Sequence, residues 1–325
     1  MKFGITYDLK QDYIALGFST EQAAEFDGED TVEAIEQALQ KMGFETERIG
    51  NIRHLTTALA KGRSWDIVFN ICEGVSGFGR EAQVPALLDA YNIAYVFSDP
   101  LVMSLTLHKA MTKIVVRHAG VATPDFAVVE NESDIEKIEL PYPFFVKPMG
   151  EGTGKGISSK SVVHNQEELM LVCKELLAEF AQPVLVECYL PGREFTVGIA
   201  GTGIKARTTG IMEIAMTQNT DHNFYSYKNK SEYHNKVRYT VPEPEMTEKC
   251  CQVAIDAWRA LGCRDGGRID IRCDESGIPN FIEVNPLPGL NPIDSDLPML
   301  SRFFGMDFQT LMEQIVESAI ERIHK

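Results

Sequence analysis

The chain has 325 residues, enough for two or three packed units that each bury a core of their own. Its 47 acidic and 31 basic residues give a formal net charge of −16, and this balance without a basic patch argues against extended nucleic-acid binding. The sequence has no signal-like segment at Met1 and no run of about 18 apolar residues, so we expect neither export nor a membrane span. Seven cysteines without CxxC spacing are typical of reduced thiols in a cytoplasmic protein.

Residues 1–97 alternate between predicted strands and predicted helices. The predicted strands are Lys2–Tyr7, Thr46–Ile49, Trp65–Asn70 and Ile93–Phe97, and the helices lie after a cap at Asp30 or Thr31, from Leu55, and near Ala82. This order predicts an α/β domain with an open, mostly parallel sheet. The glycine-containing loop Glu73–Glu81 follows the third strand, where ligands gather in such sheets. Either a substrate site or a plain flexible connector would explain it.

The remaining chain divides into two α+β units, 98–190 and 191–325. The first begins with one long predicted helix, Pro100–His118, which carries Lys109. It continues with strands at 126–129, 144–147, 157–163 and 184–187 and with a helix over 166–181. The second has a strand at 194–199, a polar segment at 217–238, a helix at 247–261, a hairpin, and a final amphipathic helix.

The hairpin that turns at Asp274–Gly277 concentrates polar side chains on one face. Strand alternation places Arg268 and Asp270 on the same side, and a turn of about four residues brings Asp270 opposite Glu283 and Arg268 near Asn285. Two carboxylates, an amide oxygen and a guanidinium at one place predict a site for Mg²⁺ and phosphate.

A second candidate feature is the loop 147–156, with glycines at 150, 152, 154 and 156. Its spacing fits neither the Walker A motif nor the dinucleotide fingerprint, and strands are expected after it. Such a loop can close backbone N–H groups over phosphates, with Thr153 and Lys155 as side-chain donors. An ordinary surface hairpin is the alternative.

Several polar residues end apolar strands near this loop. Lys147 would reach a phosphate, Glu187 an adenine amino group, the backbone of 188–190 the base, and Glu194 a ribose hydroxyl. Each alone would fit a solvated strand end. Their occurrence together with the hairpin indicates a nucleotide site.

Four segments carry a resemblance to a known family: Phe145-Val146-Lys147-Pro148 with its glycine loop, Pro191-Gly192-Arg193-Glu194 after Glu187, Gly267-Arg268-Ile269-Asp270, and Ile282-Glu283-Val284-Asn285 followed by Pro288-Gly289. In this order, over about 105–299, they resemble the ATP-grasp fold as found in D-alanine:D-alanine ligases. The resemblance implies an N-terminal α/β domain followed by α+β ATP-grasp domains, in a divergent member.

The resemblance also implies roles for individual residues. The implied ATP contacts are Lys109, Lys147, Glu151, Thr153, Glu187, Cys188, Leu190, Glu194 and Lys230, and the implied ligands of two Mg²⁺ ions, with Mn²⁺ as an alternative, are Asp270, Glu283 and Asn285. Arg268 would neutralise charge in an acyl-phosphate transition state, and the Gly289 amide would face an oxyanion. Ser295 would bind the carboxylate of the second amino acid, and Ser231 and Glu73 lie on substrate segments.

The chain departs from that family at substrate contacts. Glu73–Glu81 replaces a His-Gly-x-x-Gly-Glu-Asp-Gly-like segment, Ser231 stands in place of a tyrosine, and the first loop lacks a clear counterpart of the glutamate that holds the first D-alanine. We expect an ATP-dependent ligase that makes a dipeptide through an acyl phosphate, with D-alanyl-D-alanine for peptidoglycan as the default. The alternatives are a ligase for another carboxylate and amine, and a nucleotide-binding protein without catalysis. Amino-acid substrates and a homodimer are the expected partners.

Overall fold

The computed structural model of the protein describes residues 1–216 and 237–323. Lys230, Ser231 and most of the polar segment 217–238 lie outside these residues. The strands are β1 Lys2–Tyr7, β2 Glu45–Gly50, β3 Ile67–Ile71, β4 Ala94–Tyr95, β5 Phe126–Val129, β6 Phe144–Pro148, β7 Val162–Val163, β8 Val184–Cys188, β9 Glu194–Ala200, β10 Arg207–Met216, β11 Val237–Thr240, β12 Gly266–Cys273 and β13 Pro279–Asn285. The helices are α1 Lys10–Ala15, α2 Glu29–Lys41, α3 Ile52–Ala60, α4 Gln83–Ala90, α5 Pro100–Leu107, α6 Lys109–His118, α7 Glu132–Ile135, α8 Gln166–Phe180, α9 Pro244–Leu261, α10 Asp296–Phe303 and α11 Phe308–Ile323.

The N-terminal sheet confirms the predicted α/β domain. Its strands are parallel in the order β2-β1-β3-β4, and separate apolar clusters cover its two faces. The predicted cap of α2 is wrong, because the helix begins at Glu29 after Gly28, without a side-chain cap. Asp30 and Thr31 instead accept hydrogen bonds from the Asn291 side chain, at 2.7 and 3.2 Å.

The predicted long helix over 100–118 is also wrong, because it is broken at His108. His108 has φ −88° and ψ 89°, and its Nδ1 accepts a hydrogen bond from the Met111 amide at 3.4 Å, which caps α6. The break makes Lys109 the first residue of α6. The spacing of apolar residues does not reveal this break, since the same spacing continues on both sides of His108.

The central antiparallel sheet has the order β5-β8-β6-β7. The strand predicted over 157–163 is reduced to the two residues of β7, after a 3₁₀ turn at Ser159–Ser161 that Ser158 caps. The glycine loop therefore runs from β6 into irregular chain, and it is longer than a hairpin turn.

The C-terminal antiparallel sheet has the order β11-β10-β9-β12-β13 and carries the predicted hairpin. Asp270 pairs with Glu283 and Arg268 with Asn285, as expected, while Ile269 and Ile271 are fully buried beneath them. The sequence did not predict β10, β11 or α10.

One apolar core joins the two ends of the chain. Leu311 and Ile315 of α11 lie in the same buried cluster as Phe3 and Ile5 of β1, so the final helix packs against the N-terminal sheet. Val102 and Val116, from α5 and α6, pack instead in the core under the C-terminal sheet. No helix within 1–216 or 237–323 is long and apolar enough to cross a membrane.

Candidate active site

Two cavities meet at the face of the β12–β13 hairpin. The first, which we call the nucleotide cavity, lies between the central and C-terminal sheets and is lined by Lys147, Glu187 and Glu194 among others. The second, which we call the amino-acid cavity, opens toward the N-terminal domain and is lined by Glu73, Gly289 and Ser295 among others. Thr153, Arg268 and Glu283 line both cavities. The junction therefore lies where the sequence predicted a metal and phosphate site.

Arg268 is held in place by carboxylates on its own face of the sheet. Its Nη1 lies 2.5 Å from Oδ2 of Asp270 and 3.9 Å from Oδ2 of Asp296. The Thr196 hydroxyl, on the neighbouring β9, donates to Oδ1 of Asp270 at 2.7 Å. Burial opposes the guanidinium charge, but Asp270 and Asp296 outweigh it and raise the pKa of Arg268 above its ordinary value. Arg268 is a fixed cation at the junction of the cavities.

Glu283 lies between this arginine and two lysines. Its Oε2 is 3.7 Å from Nζ of Lys109 and 3.9 Å from Nζ of Lys147. Burial alone would raise the pKa of Glu283, but Lys109 and Lys147, with Arg268, outweigh it and lower the pKa to about 2. The residue is a permanent carboxylate near neutral pH.

The donor set on the hairpin suits Mg²⁺. Asp270 and Glu283 are directly opposed across β12 and β13, and Asn285 adds an amide oxygen that also accepts from the Leu287 amide at 3.2 Å. In the described part of the chain no three His, Cys, Asp or Glu side chains converge as a complete metal centre. Mg²⁺ usually takes one or two carboxylates and completes its shell with phosphate oxygens and water, so two carboxylates and an amide fit it.

A buried charge network lies behind the nucleotide cavity. Glu187 forms ion pairs with Lys147, at 3.0 Å, and with Lys113, and all three side chains are at most 4 % exposed. Lys113 also donates to the Thr123 hydroxyl at 2.9 Å, which in turn donates to the Phe281 carbonyl at 2.8 Å. Burial opposes ionisation of Glu187, but Lys113 and Lys147 prevail and lower its pKa.

Lys113 was missed by the sequence reasoning. It lies four residues after Lys109, on the same face of α6, and this spacing is the signal that could have revealed it. Burial lowers the pKa of Lys113 to about 8, against the opposing effect of Glu187.

Two of the three backbone amides of 188–190, which would face the base, are hydrogen-bonded within the protein. The amide of Cys188 donates to the Asp125 carbonyl at 2.8 Å, and the amide of Tyr189 donates to the Pro143 carbonyl at 3.0 Å. The predicted donor at Cys188 is thus engaged within the protein. No acceptor within 1–216 or 237–323 bonds the Leu190 amide, which lines the nucleotide cavity.

Glu194 also lines the nucleotide cavity. Its Oε2 accepts from Nη1 of Arg272 at 3.1 Å, and Arg272 lies over the Tyr189 ring at 5.2 Å. Burial raises the pKa of Glu194, while Arg272 opposes the shift. The carboxylate is oriented by this arginine and retains acceptor capacity for a hydroxyl.

The glycine loop brings an unpaired hydroxyl to the junction. Thr153 has φ +51°, and its buried Oγ1 has no hydrogen-bond partner among the described residues. Lys109 donates to the Glu151 carbonyl at 2.6 Å, so the loop is tied to the start of α6. Buried polar groups are normally satisfied, so an orphan hydroxyl at a cavity wall suits an absent ligand.

Two residues of this loop do not face the nucleotide cavity. The Glu151 side chain lines the amino-acid cavity and accepts from Nε2 of Gln182 at 2.7 Å. Lys155 lies 3.4 Å from Oε2 of Glu25 and 3.6 Å from Oε2 of Glu151. Neither side chain lines the nucleotide cavity, and the phosphate contact of Lys155 and the ATP contact of Glu151 stay predictions.

The C-terminal wall of the amino-acid cavity carries Gly289 and Ser295. Among the described residues no acceptor bonds the Gly289 amide. Ser295 is the N-cap residue of α10, and its hydroxyl accepts from the Asn291 amide at 3.0 Å, which leaves its proton for another acceptor. A Cβ on Gly289 would lie 2.8 Å from Oγ of Ser295, so the two groups are adjacent.

The N-terminal wall is supplied by Glu25, Asp27, Glu73 and Glu81. Of these the sequence predicted only Glu73 as a site residue, since Glu25 and Asp27 follow an irregular loop without periodicity. Glu25 accepts from the Gly152 amide at 2.9 Å and lies 3.2 Å from Nη2 of Arg80, which links the N-terminal domain to the glycine loop.

The comparisons with known proteins agree on one family. The profile described as "D-ala D-ala ligase C-terminus" matches residues 115–317. The D-alanine–D-alanine ligase of Xanthomonas axonopodis pv. citri (strain 306) is 31% identical over 291 residues, which cover 87% of each chain.

Solved structures show the same fold at lower identity. The chain superimposes on a D-alanine–D-alanine ligase from Bacillus anthracis complexed with ATP, with a TM-score of 0.74 and 22% identity over 100% of this chain and 99% of that one. It also superimposes on the VanG D-Ala:D-Ser ligase of Enterococcus faecalis, with a TM-score of 0.75 and 18% identity over 98% and 99% of the chains. These likenesses confirm the expected fold.

Proposed function

Because the chain belongs to the D-alanine–D-alanine ligase family of ATP-grasp enzymes, we propose that it joins two amino acids into a dipeptide at the expense of ATP, with D-alanine as the default for both. The observation that carries the proposal is the meeting of the two cavities at Arg268 and Glu283. A nucleotide in one cavity and a carboxylate in the other would bring the γ-phosphorus and the attacking oxygen together there.

The reaction has two steps. A carboxylate oxygen of the first amino acid attacks the γ-phosphorus, the bond to the β–γ bridging oxygen breaks, and ADP leaves with that electron pair. The amine of the second amino acid then attacks the acyl carbon, the carbon–oxygen bond to phosphate breaks, and the amine loses a proton. Inorganic phosphate and the dipeptide are the products.

The charges at the junction serve the first step. Arg268, Lys109 and Lys147 would offset the negative charge that spreads over the transferring oxygens. Asp270, Glu283 and Asn285 would hold Mg²⁺, which would neutralise part of the charge on the phosphate oxygens. Glu187 and the Leu190 amide would bind the adenine, and Glu194 a ribose hydroxyl.

The second cavity serves the second step. The unpaired Gly289 amide would donate to the oxygen of the tetrahedral intermediate, and Ser295 would donate to the carboxylate of the second amino acid. The N-terminus of α10 favours a carboxylate at the same place. Since an acyl phosphate hydrolyses readily, Thr153 and the glycine loop would also exclude water from the junction.

A different pair of substrates is the second candidate. The residues that depart from the family, Glu73–Glu81 and Ser231, belong to substrate segments, and a D-Ala:D-Ser ligase shares the fold. A peptidoglycan role depends on D-alanine being used, so it stays a proposal. The non-catalytic hypothesis receives no support, since the chain is an ATP-grasp ligase-like enzyme.

The test is phosphate release with ATP, Mg²⁺ and a panel of amino acids in both stereochemical forms. D-alanine-dependent turnover supports the default, and turnover with other pairs alone supports the second candidate. Arg268→Ala should lower turnover about 10²-fold or more and leave ATP affinity within a few fold, because one preorganised donor to the transition state is lost. The exposed Arg53→Ala is the matched control. Equal losses of affinity and turnover would contradict the role given to Arg268.

A further inference from the structure

Three carboxyl groups line the end of the amino-acid cavity that faces the N-terminal domain. Asp27 precedes α2, and Glu73 and Glu81 lie at the two ends of the loop that follows β3. We call these three residues the acidic wall. The cavity, of about 390 Å³, extends from the acidic wall to Arg268 and Gly289. Its volume is in the range of small-molecule sites.

Three of the neighbouring cations, Arg80, Lys155 and Lys109, are engaged with other groups. Arg80 donates to the Gly150 carbonyl at 2.9 Å and pairs with Glu25 at 3.2 Å. Lys155 lies 3.4 Å from Glu25, and Lys109 donates to the Glu151 carbonyl at 2.6 Å. Besides Lys109 and Arg268, the basic residue that lines this cavity is Lys10 of α1. The acidic wall therefore carries more negative charge than its surroundings compensate.

Glu81 shows the imbalance most directly. Its side chain is 8 % exposed, it lines the cavity, and no donor within 1–216 or 237–323 bonds either of its oxygens. Burial raises the pKa of Glu81 to about 7, although Arg80 opposes the shift. Burial also raises the pKa of Asp27 to about 7, and burial with Glu81 and Glu25 raises that of Glu73.

A buried carboxyl without a partner costs free energy, so such a group suits a ligand that brings its own donors. A metal ion is a poor match, because no three acidic, His or Cys side chains of the described chain converge as ligands. An ammonium or guanidinium group carries several N–H donors and can serve carboxylates that are spread along a wall.

We propose that one substrate of this enzyme carries a positively charged nitrogen in addition to its α-ammonium group, as in a diamino acid, and that Asp27, Glu73 and Glu81 bind this nitrogen. The inference rests on the proposed function, because it places the substrate carboxylate at Arg268. An α-ammonium group supplies a single positive charge, whereas the acidic wall offers three carboxyl groups. Either the first or the second amino acid can be the cationic one.

The test compares cationic amino acids with uncharged amino acids of similar length. Ornithine and lysine are paired with norvaline and norleucine, in D and L forms, each with D-alanine as partner, ATP and Mg²⁺. The cationic member of a pair should have a kcat/KM at least about tenfold higher, the scale of one charged hydrogen bond. Fragmentation of the product by mass spectrometry shows which side of the dipeptide carries the cationic residue.

Substitutions in the acidic wall test whether these residues cause the preference for cationic substrates. Glu81→Gln and Asp27→Asn should each reduce the ratio of kcat/KM between cationic and uncharged substrates about tenfold. Glu136→Gln, the same change at an exposed position, should leave the ratio unchanged. A ratio near one in the wild type, or a ratio that Glu81→Gln and Asp27→Asn both leave intact, would overturn the proposal.

A binding measurement separates this inference from the ligase reaction. Calorimetry with the full chain, ADP and Mg²⁺ measures the affinity for ornithine and for norvaline without turnover. If no amino acid releases phosphate, the proposed reaction fails, and tighter binding of ornithine still supports the acidic wall. Equal binding of the two amino acids overturns it. Wild-type affinity for ADP in each variant shows that the fold is intact.

Discussion

At the scale of single residues, the environment of Glu187 shows how ion pairs keep a buried carboxylate charged. Its carboxylate lies between Lys113 and Lys147, and Lys113 is fully buried. Removing one of the three members is costly, since the buried charges that remain are less well compensated. The same network orients Glu187 toward the nucleotide cavity, so its loss should affect stability and ATP binding together.

Lys113→Met tests this network. We expect the free energy of unfolding to fall by about 1–3 kcal/mol, because Glu187 loses one of its two buried partners and keeps Lys147, and the KM for ATP to rise about tenfold. Lys61→Met, at an exposed position of the N-terminal domain, is the control. Addition of Glu187→Gln should restore part of the stability and none of the ATP affinity. A loss below about 1 kcal/mol in the single variant would show that the network is not a coupled unit.

Glu81 provides a pH-dependent prediction. Its pKa is raised from the ordinary 4.5 to about 7 by burial, so the folded protein holds a proton there that the unfolded chain has lost between these pH values. Its contribution to stability is complete below pH 4.5 and is lost as the pH rises through 7. Glu81→Gln removes this titration.

We therefore expect Glu81→Gln to stabilise the ligand-free protein by up to about 3 kcal/mol at pH 8 and by less than about 1 kcal/mol at pH 5. Urea unfolding at the two pH values measures the difference. A stabilisation that is equal at both, or a loss at pH 8, would show that the carboxyl is compensated in the folded state. A stabilised variant that loses substrate preference is the usual sign of a functional site.

At the scale of the elements, the glycine loop is the part that connects domains. Gly152 donates its amide to Glu25 at 2.9 Å, and a Cβ at this position would lie 2.7 Å from the same oxygen. The loop therefore lies very close to the Glu25 carboxylate at Gly152. Any larger residue must move either the loop or the Glu25 carboxylate.

Gly152→Ala should raise the KM for ATP several-fold, because the displaced loop carries Thr153 away from the junction. Steady-state kinetics with varied ATP measures the effect. Gly79→Ala is a suitable control, since a Cβ there would meet nothing closer than Oγ of Ser104 at 3.6 Å. Identical ATP kinetics in Gly152→Ala and wild type would mean that this contact does not position the loop.

The elements also show which parts of the fold the sequence could predict. The pairing of Asp270 with Glu283 and of Arg268 with Asn285 in the β12–β13 hairpin was predictable. The register shift between Asp270 and Ile271, which separates these pairs from the Cys273–Pro279 pair nearer the turn, was not. The break at His108 was not predictable either, since apolar residues continue through it, whereas Lys113 could have been recognised from its four-residue spacing to Lys109. The acidic wall combines residues 27, 73 and 81, which only the tertiary fold brings together.

At the scale of the whole molecule, the site lies where all three parts of the chain meet. The core shared by β1 and α11 fixes the N-terminal sheet against the C-terminal unit, and α5 and α6 pack under the C-terminal sheet. We retain the division 1–97, 98–190 and 191–325 as a proposal for the domains. The nucleotide cavity and the amino-acid cavity are then interdomain clefts that share Arg268 and Glu283.

In the proposed reaction a substrate carboxylate attacks ATP at this junction. The most direct measurement uses the amino acid that supports turnover, labelled with ¹⁸O in its carboxylate, and follows the released phosphate by mass spectrometry. An acyl-phosphate intermediate leaves one carboxylate oxygen on the phosphate when the amine attacks the acyl carbon, so we expect one ¹⁸O in each phosphate released. Unlabelled phosphate formed together with dipeptide would contradict the account.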